Sequence, residues 1–371
     1  MEAWSEQVPG RSARLVAALA AGVAVPEPFR LRRFAPVPDG PLDERPVTAS
    51  QTNESVVIGE RLVVKWMREP VPGHRAPDLL AHLSAVGFDR LPVPYGALLH
   101  GDRLLALVSG YLPGAEDGWD WMVADLAAEL SGGPAATFPA DLGRLAADLH
   151  TALATPSPVY PAPVVHVSNV DWVGPGIRTV DEAVATVTAA DDVSVNTHEA
   201  SVNCDGNWLS AQSGRMRAEV STAAAATRTP VMRLHGDLHA GQVLRWDGGY
   251  AVTDFDGNPT VPDAPVREPP ARDVAQMTTS LAHIGQIVLR RTGGVDSARI
   301  ADWTARGVMV FLEAYRDRLT SRDMQWLFDQ RLLRPFEVVQ ECRELIYSAK
   351  YLIRWRYAPM GVLRSWYDDR C

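Results

Sequence analysis

Two pairs of short apolar segments in the first third of the chain have the pattern of β-hairpins. The first pair is 56–58 and 61–66, joined by Gly59-Glu60, and the second pair is 95–99 and 103–108. Branched and aromatic residues favour strands, and short loops that contain glycine favour tight turns between them. Residues 76–83, which lie between the two pairs, have a helical pattern. This part of the sequence therefore predicts an antiparallel sheet accompanied by a helix.

Apolar positions in the rest of the chain recur with helical spacing. Residues 142–150 form one such segment, and residues 337–353 form another that contains neither proline nor glycine. In the second segment the apolar residues recur at intervals of three and four, which is the spacing of one helix face: Val338, Cys342, Leu345, Ala349 and Leu352. A sheet followed by helices predicts an α+β fold.

A polar stripe lies beside this apolar face. Glu337, Gln340, Glu341 and Glu344 recur at i, i+3, i+4 and i+7 and so share one side of the predicted helix. Three carboxylates on one stripe repel one another, but the arrangement becomes favourable when a cation binds there. A solvated face of a surface helix is the alternative interpretation, and it stays open at this point.

Three aspartates follow short apolar runs near residue 250. Asp237 follows the run 231–234, and Asp254 and Asp256 follow a predicted hairpin over 242–253. Phosphoryl transfer requires a carboxylate that orients and deprotonates a hydroxyl, together with oxygen ligands for magnesium. Asp237 is the candidate base, which contacts the acceptor hydroxyl. The carboxylate of Asp254 and the side-chain oxygen of Gln242 are candidate Mg²⁺ ligands, because a hairpin would bring them side by side.

A lysine in the second predicted strand is the candidate for binding ATP. Lys65 lies within an apolar run, where an ammonium group requires an anionic partner. We expect the α- and β-phosphates of ATP and a helix carboxylate, Asp78, to provide that charge. No glycine-rich loop precedes the lysine strand, and the polar segment 50–55 takes its position. Its backbone amides and hydroxyls can bind phosphate, although an ordinary polar turn has the same composition.

The segment His235-Gly236-Asp237-Leu238-His239, followed by 242–244 and 254–256, resembles the catalytic core of the aminoglycoside phosphotransferase-like kinases. The resemblance implies a two-lobed protein-kinase-like fold, with a small antiparallel-sheet lobe over 1–112 and a large, mostly helical lobe over 113–371. It implies that Asp237 is the base and that Asp254 binds magnesium.

The family usually has asparagine five residues after the base, and this chain has Gln242. That glutamine and the acidic residue Asp256 are similar to the maltokinase branch, which makes Asp256 a second metal-side carboxylate. The resemblance also implies that backbone groups at Val108 and Gly110 bind adenine.

The segment 338–345 resembles the acceptor-recognition helix of the actinobacterial glucosamine kinases, a maltokinase-like group. The resemblance implies that Gln340, Glu341 and Glu344 contact the hydroxyls and the amine of an amino sugar. ATP and Mg²⁺ are then the expected cofactors, and glucosamine, phosphorylated at its 6-hydroxyl, is the expected acceptor. Maltose and aminoglycosides remain alternative acceptors, and a catalytically idle nucleotide-binding protein is the alternative from another functional class.

Composition narrows the functional classes further. The chain has 371 residues, a net charge of -9 and a pI near 5.5, which argues against a nucleic-acid partner. Three cysteines without metal-ligand spacing indicate a reducing, cytoplasmic location. The apolar run 15–25 follows acidic residues and is expected to be a short helix rather than a signal peptide, and no membrane span is expected. The sequence leaves the oligomeric state open.

Overall fold

The branched apolar runs of the first third of the chain form a six-stranded antiparallel sheet in the computed structural model. The strands are β1 (Phe29–Arg33), β2 (Glu44–Pro46), β3 (Glu54–Ile58), β4 (Leu62–Trp66), β5 (Pro94–His100) and β6 (Arg103–Gly110). Their order across the sheet is β1-β5-β6-β4-β3-β2. The two predicted hairpins, β3/β4 and β5/β6, are therefore confirmed.

Two helices accompany this sheet, α1 (Arg11–Ala21) and α2 (Ala76–Ala85). Leu15 and Leu19 of α1 are fully buried in one apolar cluster with Ile58, Leu62 and Leu98 of the sheet. Burying each of these side chains contributes about 1.5–3 kcal/mol relative to leaving it in water. The run 15–25 is thus a core helix over most of its length, as the sequence predicts.

The structure describes residue 4 and residues 9–47, 53–196, 205–258, 265–294 and 296–368. Residues 50–52, half of the polar segment 50–55 predicted to cover the ATP phosphates, lie outside the described residues, and Glu54 and Ser55 belong to β3. The chain divides into two compact units whose segments alternate in sequence. The first unit comprises Met1–Asp117, Thr155–Pro163 and Gln242–Gly257, and the second comprises Gly118–Ala154, Val164–Gly241 and Asn258–Cys371. The boundary at residue 112 stays a prediction.

The first unit also contains a separate hairpin of β9 (Val243–Trp246) and β10 (Gly249–Val252). Val252 pairs with Val243, and the next residue, Thr253, donates its N–H to the Gln242 carbonyl oxygen at 2.9 Å. Asp254 therefore follows directly after the residue opposite Gln242. This hairpin was predicted from the sequence and is confirmed.

The second unit is mainly helical, with one short strand pair, β7 (Val165–Ser168) and β8 (Arg228–Val231). Its helices are α3 (Gly118–Leu130), α4 (Phe138–Ala154), α5 (Val173–Asn196), α6 (Asp205–Ser221), α7 (Ala271–Arg291), α8 (Ser297–Thr320), α9 (Leu333–Tyr351) and α10 (Tyr357–Tyr367). Three residues of the apolar face predicted for 337–353, Val338, Cys342 and Leu345, are buried in α9 and pack in a cluster with α5 and α6. Ala349 is half-buried, and Leu352 lies just beyond the end of the helix. The described helices include none with the length and apolarity required to cross a membrane.

Replacing Gly143 by alanine should destabilise the protein. Gly143 lies where α4 packs against α8, and an added Cβ would collide with the Phe311 carbonyl oxygen and lie 3.0 Å from the Tyr315 nitrogen. Such overpacking typically costs about 1–3 kcal/mol. Urea unfolding should show this loss in the free energy of unfolding.

The matched control is Gly214→Ala in α6, where an added Cβ meets no atom within 4 Å. There the better helix propensity of alanine should raise stability by up to about 1 kcal/mol. Changes of the same sign in the two variants would contradict this account of the α4/α8 contact.

Candidate active site

A lysine and two aspartates form a charged cluster in the first unit. Lys65 lies on β4, and its ammonium group donates to Asp254 Oδ1 at 2.7 Å and to Asp256 Oδ2 at 2.6 Å. Burial alone would lower the pKa of Lys65, but the charges of Asp256 and Asp254 outweigh it and raise that pKa above its usual value. Burial also raises the pKa of Asp256, against the opposing charge of Lys65. The lysine therefore stays charged at neutral pH.

The loop that carries the two aspartates has a strained backbone. Asp254 has φ of 61°, in the left-handed region that residues other than glycine rarely adopt. The next side chain, Phe255, is buried and anchors the loop. A conformation of this kind costs on the order of 1 kcal/mol or more and persists where the surroundings enforce it. The strain fixes the direction in which the Asp254 carboxylate points.

The donor set of this loop fits a hard divalent cation. Asp256 Oδ1 is buried and accepts no hydrogen bond from a described residue, and His74 Nε2 lies 3.8 Å from it. The hairpin register brings Gln242 beside the aspartate loop. Within the described ranges no group of three or more His, Cys, Asp or Glu residues could hold a metal ion. Two carboxylates and an amide still suit Mg²⁺, which keeps water and phosphate oxygens as its other ligands.

The predicted pair of Lys65 and Asp78 is not formed, and this corrects the sequence interpretation. Asp78 lies on the exposed face of α2, and its carboxylate accepts a hydrogen bond from Arg32 of β1. The two loop aspartates satisfy Lys65 instead. Sequence reasoning placed the partner on the nearest helix, whereas the actual partners lie 189 and 191 residues further along the chain.

The two predicted adenine contacts lie in β6, where the sheet already engages them. Val108 pairs with Val64 of β4 and with Gly96 of β5 and is almost fully buried. The N–H of Gly110 donates to the Val93 carbonyl oxygen at 2.8 Å. The structure thus assigns the Gly110 N–H to the sheet, and adenine binding by these two residues stays a prediction.

In the second unit, helix α7 braces the loop that carries the candidate base. Asp273 accepts the N–H groups of His235 at 3.0 Å and Gly236 at 2.9 Å. Gln276 Oε1 accepts the Leu238 N–H at 3.2 Å, and Ser280 Oγ accepts the Ala240 N–H at 3.1 Å. These helix residues are spaced i, i+3 and i+7, so they lie on one face of α7. Asp273 therefore braces this loop.

The charge of Asp273 is itself held by hydrogen bonds. Burial alone would raise the pKa of Asp273, but the hydrogen bond with His150 Nε2, at 3.2 Å, the electrostatic interactions with His150 and His235, and the hydrogen bond from the Gly236 N–H lower that pKa below its usual value. The buried carboxylate therefore remains an acceptor for the loop at neutral pH. His150 is itself fixed by the Tyr315 hydroxyl, 2.7 Å from its Nδ1 atom.

Asp237 has an oriented side chain within this braced loop. Gln276 Nε2 donates to Asp237 Oδ1 at 3.2 Å, while the other end of the same amide accepts the Leu238 N–H. His239 Nε2 lies 3.7 Å from Asp237 Oδ2, and the His239 ring stacks on Trp119 with centroids 5.7 Å apart. His235 and His239 each accept a backbone N–H of the loop through Nδ1. Both histidines thus hold the backbone of the loop in place.

A cavity of about 810 Å³ lies within the second unit. Asp237 lines it together with two of the three predicted acceptor residues, Gln340 and Glu344. Glu344 is positioned by two donors: Gln340 Nε2 lies 3.1 Å from its Oε1, and Trp355 Nε1 lies 3.1 Å from its Oε2. The cavity therefore presents a fixed carboxylate in addition to the candidate base.

Glu341 lies elsewhere than the sequence interpretation implies. It is fully buried, it does not line the cavity, and its Oε2 lies 2.9 Å from His283 Nε2. His283 does line the cavity. The predicted direct contact between Glu341 and the acceptor is therefore not supported, because Glu341 reaches the cavity wall only through its hydrogen-bond partner His283. Glu341 lies four residues after Glu337 and so on the same side of α9, but α7 packs against α9 at this position and buries Glu341.

The Glu341 and His283 side chains form a buried ionisable pair. Burial raises the pKa of Glu341 to about 7, with the charge of His283 opposing the shift. Burial alone would lower the pKa of His283, but the charge of Glu341 outweighs it and raises that pKa. Glu341 Oε1 accepts no hydrogen bond from a described residue. His283 also contacts Trp355 edge to face, with ring centroids 5.4 Å apart.

Sequence reasoning missed several residues that line the cavity. Gln276 and His283 are polar residues of α7 that lie three and ten positions after Asp273. This helical spacing places them on the same face as Asp273 and could have identified them from the sequence. Trp119 and Trp355 also line the cavity, and sequence alone does not distinguish such aromatic residues from those of a core. The cavity is also lined by Arg343, whose pKa burial lowers to about 10, so it remains charged at neutral pH.

Replacing Glu341 by glutamine should change the pH dependence of stability. The pKa of Glu341 is about 7 in the folded protein, against a usual value of 4.5, so its contribution is fully present below about pH 4.5 and is lost as the pH rises through about 7. The raised pKa of His283 acts in the same direction. The free energy of unfolding of the wild type minus that of Glu341→Gln, measured in urea, should fall from about pH 5 to about pH 8. A difference that is constant or grows over this range would refute the pair.

Proteins of known activity share this chain's sequence and structure. No protein-family model matches the chain. A glucosamine kinase of Streptacidiphilus jiangxiensis is 41% identical over 371 residues, which covers 94% of this chain and 79% of that protein. A glucosamine kinase of Mycolicibacterium smegmatis is 36% identical and covers 88% and 80%, respectively. The solved structure of a glucosamine kinase in complex with glucosamine, ADP and inorganic phosphate matches with a TM-score of 0.80 at 35% identity, over 98% of this chain and 84% of that chain. The chain belongs to the glucosamine kinase family.

Proposed function

We propose that the protein transfers the γ-phosphoryl group of ATP to the 6-hydroxyl of glucosamine, giving ADP and glucosamine 6-phosphate. One observation carries this proposal: a single cavity is lined by Asp237, a candidate base, and by Glu344, a fixed carboxylate suited to an ammonium group. The relatives described above are glucosamine kinases, which supports the same acceptor.

Asp237 orients the acceptor hydroxyl and takes its proton as the oxygen attacks phosphorus. Gln276 holds the carboxylate in place through its Nε2 atom, 3.2 Å away, so little reorganisation accompanies the transfer. The bond between the γ-phosphorus and its bridging oxygen to the β-phosphate breaks, and a new bond forms to the sugar oxygen. Asp237 is thus both the catalytic base and an acceptor-binding residue.

Glu344 binds the ammonium group of the sugar. Its two oxygens accept hydrogen bonds from Gln340 and Trp355, and the charged carboxylate faces the cavity. A hydrogen bond between charged groups is roughly twice as strong as one between neutral groups. Gln340 can bind a sugar hydroxyl through its Oε1 atom, which accepts no hydrogen bond within the part of the chain that the structure describes. The rings of Trp119 and Trp355 line the same cavity and can pack on the pyranose.

In the first unit, Lys65, Asp254, Asp256 and Gln242 serve ATP. Lys65 binds the α- and β-phosphates with its ammonium group. Asp254, Asp256 and the side-chain oxygen of Gln242 would hold Mg²⁺, which neutralises charge on the phosphate oxygens. The buried and unsatisfied Oδ1 atom of Asp256 supports this ligand set.

Glucosamine fits the cavity better than the alternative acceptors do. Maltose carries no cation to pair with Glu344, and so it is the second choice of acceptor. Membership of the maltokinase-like branch is a separate proposal, which rests on Gln242 and Asp256. An idle nucleotide-binding protein would not require Lys65, Asp237, Gln242 and Asp254 together.

Replacing Asp237 by asparagine should lower kcat for glucosamine by about 10²–10⁴-fold, the usual contribution of a general base. The Kd for ATP should change little, because Asp237 belongs to the acceptor cavity. Coupled ADP-release kinetics and calorimetry measure the two quantities. Asp247→Asn, an exposed aspartate in the β9/β10 turn, is the control and should retain full turnover. If Asp237→Asn also turned over normally, Asp237 would have no part in the mechanism.

Replacing Glu344 by glutamine should reduce kcat/KM for glucosamine by about 10–100-fold, since a hydrogen bond to a charged group contributes about 1.5–3 kcal/mol. N-acetylglucosamine, which lacks the ammonium charge, should be a poor acceptor for the wild type and should lose much less in the variant. Glu182→Gln, an exposed carboxylate on α5, is the matched control. Equal losses with both sugars would show that Glu344 only supports the fold.

A further inference from the structure

The acceptor cavity is longer than one sugar ring. Its lining residues on α7 extend from Gln276 through His283 and Ile287 to Arg291, all on one face of the helix. These fifteen residue steps span about 22 Å at 1.5 Å per residue. A hexosamine covers about two helical turns at most, so it cannot contact both ends of this face.

The chemistry proposed above places the hexosamine in the inner half of the cavity. Asp237 receives the reacting hydroxyl, and Gln276, which holds Asp237, marks the inner end of the α7 face. Glu344 binds the ammonium group and is linked by hydrogen bonds to Gln340 and Trp355. Six further lining residues, on the C-terminal part of α7 and from Tyr347 to Tyr357, form the outer groove, which this sugar leaves open: Ile287, Arg290, Arg291, Tyr347, Leu352 and Tyr357.

The outer groove is aromatic, apolar and cationic. Tyr347 and Tyr357 supply rings, and Ile287 and Leu352 supply apolar surface. The Arg290 guanidinium lies over the Tyr357 ring, 4.1 Å from its centroid, and donates a long hydrogen bond, 3.5 Å, to the Arg354 carbonyl oxygen. None of the six lining residues is acidic, and no described carboxylate forms an ion pair with Arg290 or Arg291. Two positive charges at the mouth of the groove therefore remain available to an anion.

We infer that the outer groove binds the aglycone of a glucosaminide, and that an aglycone with an aromatic or apolar body and an anionic end is preferred. This inference rests on the proposed function, because it uses the same base, the same reacting hydroxyl and the same ammonium site. The γ-phosphoryl group moves from ATP to the 6-hydroxyl, the hydroxyl proton passes to Asp237, and the products are ADP and the 6-phosphoglucosaminide. The same charges disfavour aminoglycosides, whose additional rings carry further ammonium groups.

The test is a set of aryl glucosaminides of nearly equal size that differ in charge: 4-carboxyphenyl, 4-methylphenyl and 4-(aminomethyl)phenyl, each as both anomers. The kcat/KM of the preferred anomer should fall in that order, by about tenfold from the anionic to the cationic compound. Exposed ion pairs contribute about 0.2–1 kcal/mol each, and 1.4 kcal/mol corresponds to tenfold. Raising the salt concentration should reduce the differences in kcat/KM among the three compounds, since exposed charges are screened.

Two variants test where the discrimination arises. Arg290→Gln combined with Arg291→Gln should bring the three compounds to within about twofold of one another, and Ile287→Trp should block all three by filling the groove. Both variants should keep kcat/KM for free glucosamine within about twofold of the wild type. Both arginines are exposed, so the double variant is expected to fold, and circular dichroism checks this.

The outcomes separate this inference from the function on which it rests. If the wild type phosphorylates glucosamine but uses the three aryl compounds equally, the outer groove is not an aglycone site. The same holds if it phosphorylates glucosamine but none of the aryl compounds in either anomeric form. If the wild type fails to phosphorylate glucosamine, the proposed function itself is wrong. If the double arginine variant loses glucosamine and the aryl compounds in equal proportion, the arginines support the fold only, and the inference is overturned.

Discussion

The loop that carries the proposed base, Asp237, depends on one set of hydrogen bonds to side chains of helix α7. Asp273, Gln276 and Ser280 accept four backbone N–H groups between His235 and Ala240, and these bonds hold the loop against the helix. The same helix face continues into the acceptor cavity through His283. One helix therefore sets the position of the proposed base and much of the wall against which the sugar is proposed to lie. Rigid supporting elements of this kind keep reacting groups in place more accurately than loops do.

The cluster of Lys65, Asp254 and Asp256 has a different physical basis. Its charges are partly removed from water, and each would be costly alone, but the ammonium lies within 2.7 Å of both carboxylates. The three groups leave one net negative charge and one unsatisfied carboxylate oxygen. This charge balance supports the proposal that a cation binds here, and Asp254 keeps its place in the loop with a left-handed backbone conformation.

Local patterns in the sequence were sufficient to predict the helices and strands and to select the motif residues. Both hairpins of the sheet, the β9/β10 hairpin and helix α9 follow from hydrophobic spacing and turn chemistry, and Asp237, Gln340 and Glu344 follow from motifs. The errors arise where tertiary packing decides. Glu341 and Glu344 are three positions apart on one helix, yet α7 buries the first and leaves the second at the cavity. Asp78 is the nearest acid to Lys65 along the helix, but pairing across 189 residues overrides that proximity. Trp119 and Trp355 could not be distinguished from core aromatics, because only the fold shows which rings face a cavity.

The alternation of the two units along the chain constrains the order in which the molecule can form during synthesis. The sheet of the first unit is encoded before residue 111, but the aspartates that neutralise Lys65 lie in the segment Gln242–Gly257. On the ribosome, where residues emerge at about 5–20 per second, the nascent sheet would hold Lys65 without its counter-charges for several seconds while intervening helices are made. Early folding must therefore tolerate an unpaired ammonium group on a strand, and the cluster around Lys65 acquires its final charge balance only after residues 254 and 256 have been made.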